Sequence, residues 1–314
     1  MPRALLGRTG IEVSRLCFGT LTISPLQQNM TPEACIPLFE CALERGIYFF
    51  DTAELYETYA HLRQVLRMKE DAVIATKSYA YDRQGAEASV EKALRELGRD
   101  YIDLFLLHEQ ESVHTIRGHF GAVERLLEYR QKGVIRAVGL STHHVAAVQG
   151  ALLYPELEIV HPIFNRWGLG VADGDEKAMK AAVASAYLQG KGIFAMKPLG
   201  GGHHLHESRE AFDYVLQSPY VHAVAVGMQS VEEILVNSTI FSGQEPDPAL
   251  VQKLSVRQRR LMIHDWCEGC GKCVARCQQG ALRIAKGKAV VDGTRCVLCG
   301  YCASVCPQFC IKVI

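Results

Sequence analysis

No apolar stretch in the 314 residues approaches the roughly 20 that a membrane helix needs. A membrane-spanning chain is therefore not expected. The first residues lack a secretory pattern of basic, then apolar, then small residues, so a soluble cytoplasmic protein is expected. Net charge is also lacking, with 34 Lys and Arg against 34 Asp and Glu. That removes the global signature of a nucleic-acid binder, and no nucleic-acid or membrane partner is expected. No G-x-G-x-x-G follows the first strand-like run, which makes a doubly wound sheet the runner-up architecture. Nor is there a flavin fingerprint.

Cysteine, in contrast, is plentiful, at 12 residues. Eight of them fall into two runs of identical spacing, C-x2-C-x2-C-x3-C: Cys267, Cys270, Cys273, Cys277, then Cys296, Cys299, Cys302, Cys306 with Pro307 behind it. Thiolates are soft ligands suited to iron–sulfur clusters, and this spacing lets one tight loop present three sulfurs to one cubane. The alternative is a pair of zinc sites, although zinc seldom uses three cysteines at i, i+3 and i+6. Residues 264–314 resemble a bacterial-type ferredoxin with two 4Fe-4S clusters. The resemblance implies that the fourth cysteine of each run serves the other cluster. Cys267, Cys270 and Cys273 then pair with Cys306, and Cys296, Cys299 and Cys302 with Cys277. Gln278 departs from the family, which usually has proline there. Of the four remaining cysteines, Cys17, Cys35, Cys41 and Cys310, the first three read as free thiols of a core. Oxygen-labile clusters point to a reducing compartment.

The neutral total hides an asymmetry. From Ala249 onward eleven Lys and Arg face three Asp and Glu, so a tail of plus eight follows a body of minus eight. Lys253, Arg257, Arg259 and Arg260 read as a solvated helix docking onto an acidic body. A nucleic-acid footprint, which the lack of interleaved aromatics disfavours, and a landing patch for an acidic redox partner are the other readings.

Before the tail, short β-branched runs alternate with amphipathic ones. Strands are expected at Leu16–Phe18, Ile47–Phe50, Val73–Thr76, Leu104–Leu107, Ala137–Leu140, Ile159–His161, Ile193–Met196 and Val224–Val226. Helices are expected near 32–45, 58–69, 87–97, 119–132, 143–153, 176–189, 207–217 and 231–241. Thr31-Pro32 marks the first helix start, and Ser230 with Glu233 reads as a capping box for the last. Eight such units predict an α/β chain built as a (β/α)8 TIM barrel, with a small C-terminal α+β ferredoxin-like iron–sulfur domain. The expected division is 1–241 barrel, 242–263 linker and helix, 264–314 cluster domain. Arg3 to Val13 reads as a hairpin ahead of the barrel.

Barrel sites form just past the C-terminal ends of strands. Asp51 follows strand two, with Tyr56 in the same loop; Lys77 follows strand three and His108 strand four. This set suits proton donation to a carbonyl. A tyrosine of reference pKa about 10 needs help to act as an acid; a lysine cation held by an aspartate supplies it, and a histidine orients the oxygen. The bland alternative is a structural Asp51–Lys77 pair with Tyr56 and His108 lining a pore.

Together with the stretches FFDTAELY, ATKSY, LFLLH, GVIRAVGLSTH and AVGMQSVEEILVN, the four residues resemble the catalytic tetrad of the aldo-keto reductase superfamily, over about residues 3–241. The resemblance implies an oxidoreductase that delivers a hydride from NADPH, or NADH, to a small aldehyde or ketone. Tyr56 would be the proton donor, Lys77 and Asp51 its tuning pair, His108 the orienter. It implies carboxamide contacts at Ser141 and Thr142 and at His161 in place of a usual glutamine, and a further polar cofactor position at Asn165. Gly227, Ser230, Glu233 and Asn237 would meet the adenosine half, near a helix start that favours phosphate. No Arg or Lys in Met228–Asn237 grips a 2′-phosphate. Lys197, before Gly200-Gly201-Gly202, is a further phosphate candidate. His203, His204 and His206 are a metal candidate, and His143-His144 is expected to start a helix and touch nothing of interest. The competing reading is a ferredoxin-type electron-transfer protein whose barrel binds a nucleotide or partner. The ferredoxin-like segment is expected beside the barrel mouth, where the family usually has a long C-terminal loop.

Overall fold

The computed structural model describes all 314 residues. Strands β1 (Arg3–Leu5) and β2 (Glu12–Ser14) form an antiparallel hairpin. Eight strands then follow: β3 (Leu16–Gly19), β4 (Phe49–Asp51), β5 (Val73–Ser78), β6 (Ile102–Leu107), β7 (Ile135–Thr142), β8 (Ile159–Pro162), β9 (Gly192–Met196) and β10 (Ala223–Gly227). They pair in parallel and in sequence order, and β10 closes on β3 to complete the barrel. Around it lie α1 (Ile36–Glu44), α2 (Tyr59–Met68), α3 (Arg83–Leu97), α4 (Val113–Gly118), α5 (Phe120–Gln131), α6 (Val145–Ala151), α7 (Glu176–Leu188), α8 (Ser208–Gln217) and α9 (Val231–Phe241).

Period-two alternation sorts each strand between two apolar layers. Phe18, Phe50, Ile74, Phe105, Leu107, Val138 and Val160 face the helices. Cys17, Phe49, Ala75, Leu104, Leu106, Ala137, Ile159 and Phe194 fill the barrel interior, closed below by Leu6, Ile11 and Val13 of the hairpin. One further step of two along the same interior face brings Asp51 after Phe49, Lys77 after Ala75, His108 after Leu106 and His161 after Ile159. The alternation that packs the core thus aims polar residues into the barrel mouth.

The expected strands are all present, with ends shifted by a residue or two. The first regular helix starts at Ile36 rather than residue 32. Thr31 caps the turn before it through Ala34 N–H at 3.2 Å, and Pro37 sits in the first turn, where its missing N–H is harmless. The helix expected at 119–132 is present as α5, and a short helix that was not expected, α4, precedes it because Ser112 starts it with its own capping box.

In the tail, α10 (Pro248–Ser255) leads to β11 (Leu261–Ile263), α11 (Lys272–Arg276), β12 (Leu282–Ala285), β13 (Lys288–Val291) and β14 (Ile311–Val313). The ribbon β12–β13 is one small sheet, and β14 returns to pair antiparallel with β11. No helix is long and apolar enough to cross a membrane.

Candidate active site and cluster site

Lys77 Nζ donates to Asp51 Oδ1 at 2.6 Å and to Thr52 O at 2.7 Å, and the lysine side chain is 1% exposed. A chain of hydroxyls, Thr52 to Thr58 at 2.7 Å and Thr58 to Thr20 at 2.8 Å, fixes the loop beside the pair. Burial raises the Asp51 pKa while Lys77 pulls it down. Tyr56, at the end of a 3-10 turn after β4, stands with its ring 5.2 Å from Lys77 Nζ and edge-on to His108, centroids 5.8 Å apart. The four predicted residues are therefore together.

One expectation about them is overturned. Tyr56 was expected to be acidified by Lys77, yet its pKa is pushed well above the ordinary phenol value, first by burial and then by Asp51. The lysine's hydrogen bonds go to Asp51 and Thr52 rather than to the phenol. Tyr56 is a phenol at neutral pH, a proton source rather than a phenolate. His108 is held neutral by burial and by Lys77 and Lys197. It stacks on Tyr79, centroids 4.4 Å apart, and Tyr79 donates to Glu109 at 2.8 Å.

A cavity of about 760 Å³ opens from Asp51, Tyr56 and His161 past Met196 and Lys197 to Gly227, Glu233 and Asn237. His161 donates from Nδ1 to Phe194 O at 2.5 Å and stacks on that ring. Burial keeps it neutral, so Nε2 is left as an acceptor 3.7 Å from Asp51. It can receive an amide N–H as a glutamine oxygen would.

Of the other candidates for this end of the cofactor, Thr142 and Asn165 are engaged locally, whereas Ser141 accepts one bond and keeps its O–H free. Ser141 Oγ accepts from Glu109 N–H at 3.0 Å, and Thr142 Oγ1 donates to Gln110 O at 2.6 Å. Asn165 is turned onto its own loop, bonding the N–H and C=O of Leu169 at 2.9 Å each. That assigns Asn165 to loop folding, because both ends of its amide are satisfied locally.

At the far end Ser230 caps α9 through Glu233 N–H at 3.3 Å. Glu233 returns a bond to Gln229 N–H at 2.7 Å, one residue earlier than a standard capping box. Its other oxygen accepts from Arg257 at 3.1 Å and Arg259 at 2.9 Å. Two guanidiniums therefore stand where the sequence offered no cation, supplied from after α10 rather than from Met228–Asn237. The expectation of a basic tail docked on acidic residues is met, since Lys253 also binds Glu232 at 2.5 Å. Arg257 and Arg259, however, follow the helix instead of riding on it.

His143 corrects another expectation. Its Nε2 lies 2.6 Å from Lys197 Nζ, and its ring meets Phe309 of the tail edge-on. The three loop histidines diverge. His203 donates to Ile311 O at 3.0 Å, His204 stacks on Trp167 and bonds Glu207, and the ring of His206 is exposed.

In the tail, Cys267, Cys270, Cys273 and Cys306 line one small enclosed space with Cys310, Ile284 and Ala289. That is the first run joined by the last cysteine of the second, the cross-pairing that the ferredoxin resemblance implies. Amide N–H groups of Ala289 and Ala281 donate to the sulfurs of Cys267 and Cys277 at 3.4 and 3.3 Å, as ligand thiolates require. Burial and the neighbouring Cys296 and Cys299 push the Cys302 thiol up to about 12. The donor set therefore fits iron–sulfur clusters. Cys310, which the spacing left unassigned, puts its sulfur 3.4 Å from that of Cys306.

The comparisons agree with both halves. The Aldo/keto reductase family profile matches residues 15–214, and a 4Fe-4S dicluster domain profile matches residues 266–310. "Probable aldo-keto reductase 1" of Glycine max is 30% identical over 223 residues, 63% of this chain and 59% of that protein. The chain thus spans less than two thirds of that relative's length. A solved protein assigned to the aldo-keto reductases from Pseudomonas aeruginosa superposes with a TM-score of 0.67 at 26% identity, covering 77% of this chain and 94% of that one. An aldo-keto reductase from Bacillus halodurans, solved in its holo form, shares the fold at 21% identity and a TM-score of 0.66, covering 81% of this chain and 96% of that one. The chain belongs to the aldo/keto reductase family and carries a 4Fe-4S dicluster domain behind its barrel.

Proposed function

We propose that this oxidoreductase reduces an aldehyde or ketone with a nicotinamide cofactor bound along the cavity, and that its tail holds two 4Fe-4S clusters. The observation that carries the reading is the buried Lys77–Asp51 pair beneath Tyr56, beside a cavity whose volume of about 760 Å³ lies in the range of cofactor sites. The bound cofactor supplies the hydride. Tyr56, un-ionised at neutral pH, holds the proton that a forming alkoxide takes up. His108, neutral, has one ring N–H with which to hold the carbonyl oxygen. Lys77, fixed by Asp51 and Thr52, places a positive charge beside the developing oxyanion. His161 Nε2 accepts from the carboxamide.

Arg257 and Arg259 supply the missing 2′-phosphate contact, which favours NADPH over NADH. The clusters take Cys267, Cys270, Cys273 and Cys306 in one set, and Cys296, Cys299, Cys302 and Cys277 in the other. The electron-transfer reading has one observation in its favour: Phe309, three residues past Cys306, packs on His143 at the mouth. The exposed basic residues of the tail would then receive an acidic redox partner in the cytoplasm.

The test is carbonyl-dependent oxidation of NADPH and NADH by anaerobically reconstituted protein, with Tyr56→Phe beside wild type. Turnover falling by about 10²–10⁴ in the variant, with cluster absorbance unchanged, is expected. Equal turnover in both proteins would remove Tyr56 from the reaction. No turnover in wild type over an aldehyde and ketone panel would favour the electron-transfer reading.

A further inference from the structure

The barrel mouth contains a second pair of lysines to which the proton and hydride steps proposed above give no role. Lys312 comes from β14, is only 4% exposed, and lines the same cavity as Tyr56. Its Nζ has no hydrogen-bond partner and lies over the Phe309 ring, 3.0 Å from the centroid. Lys197 sits on the same ring at 5.2 Å, and its one polar contact is His143 Nε2. Its backbone is left-handed, with φ of 58°, a conformation that costs a non-glycine residue free energy and collects at functional sites.

Neither lysine has a carboxylate to itself. Asp51 is bonded to Lys77, and Glu109 to Tyr79. Two buried amines without a counter-charge keep their protons only if something anionic joins them, and otherwise release them. Burial already lowers the Lys197 pKa to about 8, and burial together with Lys197 lowers that of Lys312.

The barrel loop is shaped to receive the tail lysine. Gly201 has φ of 72°, and a Cβ there would stand 2.8 Å from Lys312 Cδ. Gly202 has φ of 90°, and a Cβ there would strike Val313 O. His203, next in sequence, donates to Ile311 O. Tail and loop are built against each other around this lysine.

We propose that Lys197 and Lys312 form a seat for an oxyanion, a carboxylate or a phosphate, at the seam of barrel and tail. The inference rests on the carbonyl-reduction reading only in naming the two sources, the carboxylate of an oxo-acid substrate or a phosphate of the dinucleotide. The tail then completes the barrel's binding site with a residue of its own.

Binding measured calorimetrically on the full chain with clusters reconstituted, without turnover, separates this claim from that reading. The probes are inorganic pyrophosphate, pyruvate and the neutral ester methyl pyruvate. Wild type should bind at least one of the two anions. Lys312→Met should weaken that anion by about tenfold or more while Lys312→Arg retains most of the affinity. Methyl pyruvate should not distinguish the three proteins. Loss confined to pyrophosphate assigns the seat to phosphate, and loss confined to pyruvate assigns it to a substrate carboxylate. If Lys312→Met loses iron, Lys197→Met on the intact tail decides by the same criterion. Failure of both anions to bind wild type, or unchanged affinity in the deciding variant, would overturn the proposal.

Discussion

Every residue of the barrel strand Ile102–Leu107 is buried, whereas between Cys273 and Cys302 only those two cysteines, Ala281, Leu282 and Ala289 are. The barrel is held by apolar surface on two concentric layers. The cluster domain has two-stranded sheets, a five-residue helix and little core. A segment of that size needs a substitute for burial, which thiolates bound to the proposed iron–sulfur clusters would supply. On that reading one chain contains a part stable by packing and a part stable by ligation, meeting at the barrel mouth.

Removing the iron should break this contrast open most widely. Cys306→Ser, or chelation, should leave residues 264–308 accessible to protease and fast in hydrogen exchange, while the barrel keeps its cooperative transition. Limited proteolysis and exchange mass spectrometry check this. A barrel that unfolds along with the tail would show that the two parts are one cooperative unit.

Within the barrel, the largest single effect is expected at Lys77. Lys77→Met strands the Asp51 carboxylate in a dry site, a loss of about 3–5 kcal/mol for a buried pair broken on one side. The Asp51 pKa is already raised by burial even with the lysine present. Without it, stability tied to the protonated acid is retained below the ordinary carboxylate range and lost as pH rises through the folded pKa. The variant's deficit in denaturant midpoint should therefore shrink at acid pH, and Asp51→Asn in the same protein should recover much of it.

The parts of this molecule that sequence made legible are those with a local period or spacing. Alternation of two gave the strands, cysteine spacing gave the 4Fe-4S dicluster segment, and strand ends gave Asp51, Lys77 and His108. Helix starts were blurred where a cap precedes a proline, as at Thr31 and Pro37. The polar contacts between barrel and tail were not legible, because they join residues far apart in the chain. His203 reaches Ile311 O across 108 positions, and Arg257 reaches Glu233 across 24. Neither separation carries a repeating signal. His143 looked inert for the same reason, its partners being Lys197 and Phe309. The Tyr56 pKa was misjudged because spacing reports which charges are near and says nothing of how dry the site is.

At the seam itself, Gly202→Ala should cost about 1–3 kcal/mol, from a left-handed backbone and a Cβ driven at Val313 O. The stronger readout is local. Amides of Ile311–Ile314 should exchange faster while those of the barrel strands keep wild-type protection. Equal protection throughout would mean that the tail is held by its β11–β14 pairing alone.

The smallest effect, and the one that most directly tests whether the tail equips the barrel, is expected at Arg259. This side chain is 14% exposed and, with Arg257, converges on one oxygen of Glu233. Two cations on one carboxylate leave a net positive charge beside Asn237, where a 2′-phosphate is favoured. Arg259→Ala removes one cation and brings that balance to zero. A charge-assisted contact of this kind corresponds to about tenfold in affinity, so the NADPH-over-NADH ratio of kcat/KM should fall by about that factor. The fall should come through KM for NADPH, with kcat held, because the change lies at the far end of the cavity from Tyr56. Arg259→Lys should restore part of the preference through charge without the guanidinium fork. A ratio unchanged in Arg259→Ala would place the phosphate elsewhere in the cavity, and the tail arginines would then serve only to dock α10 on α9.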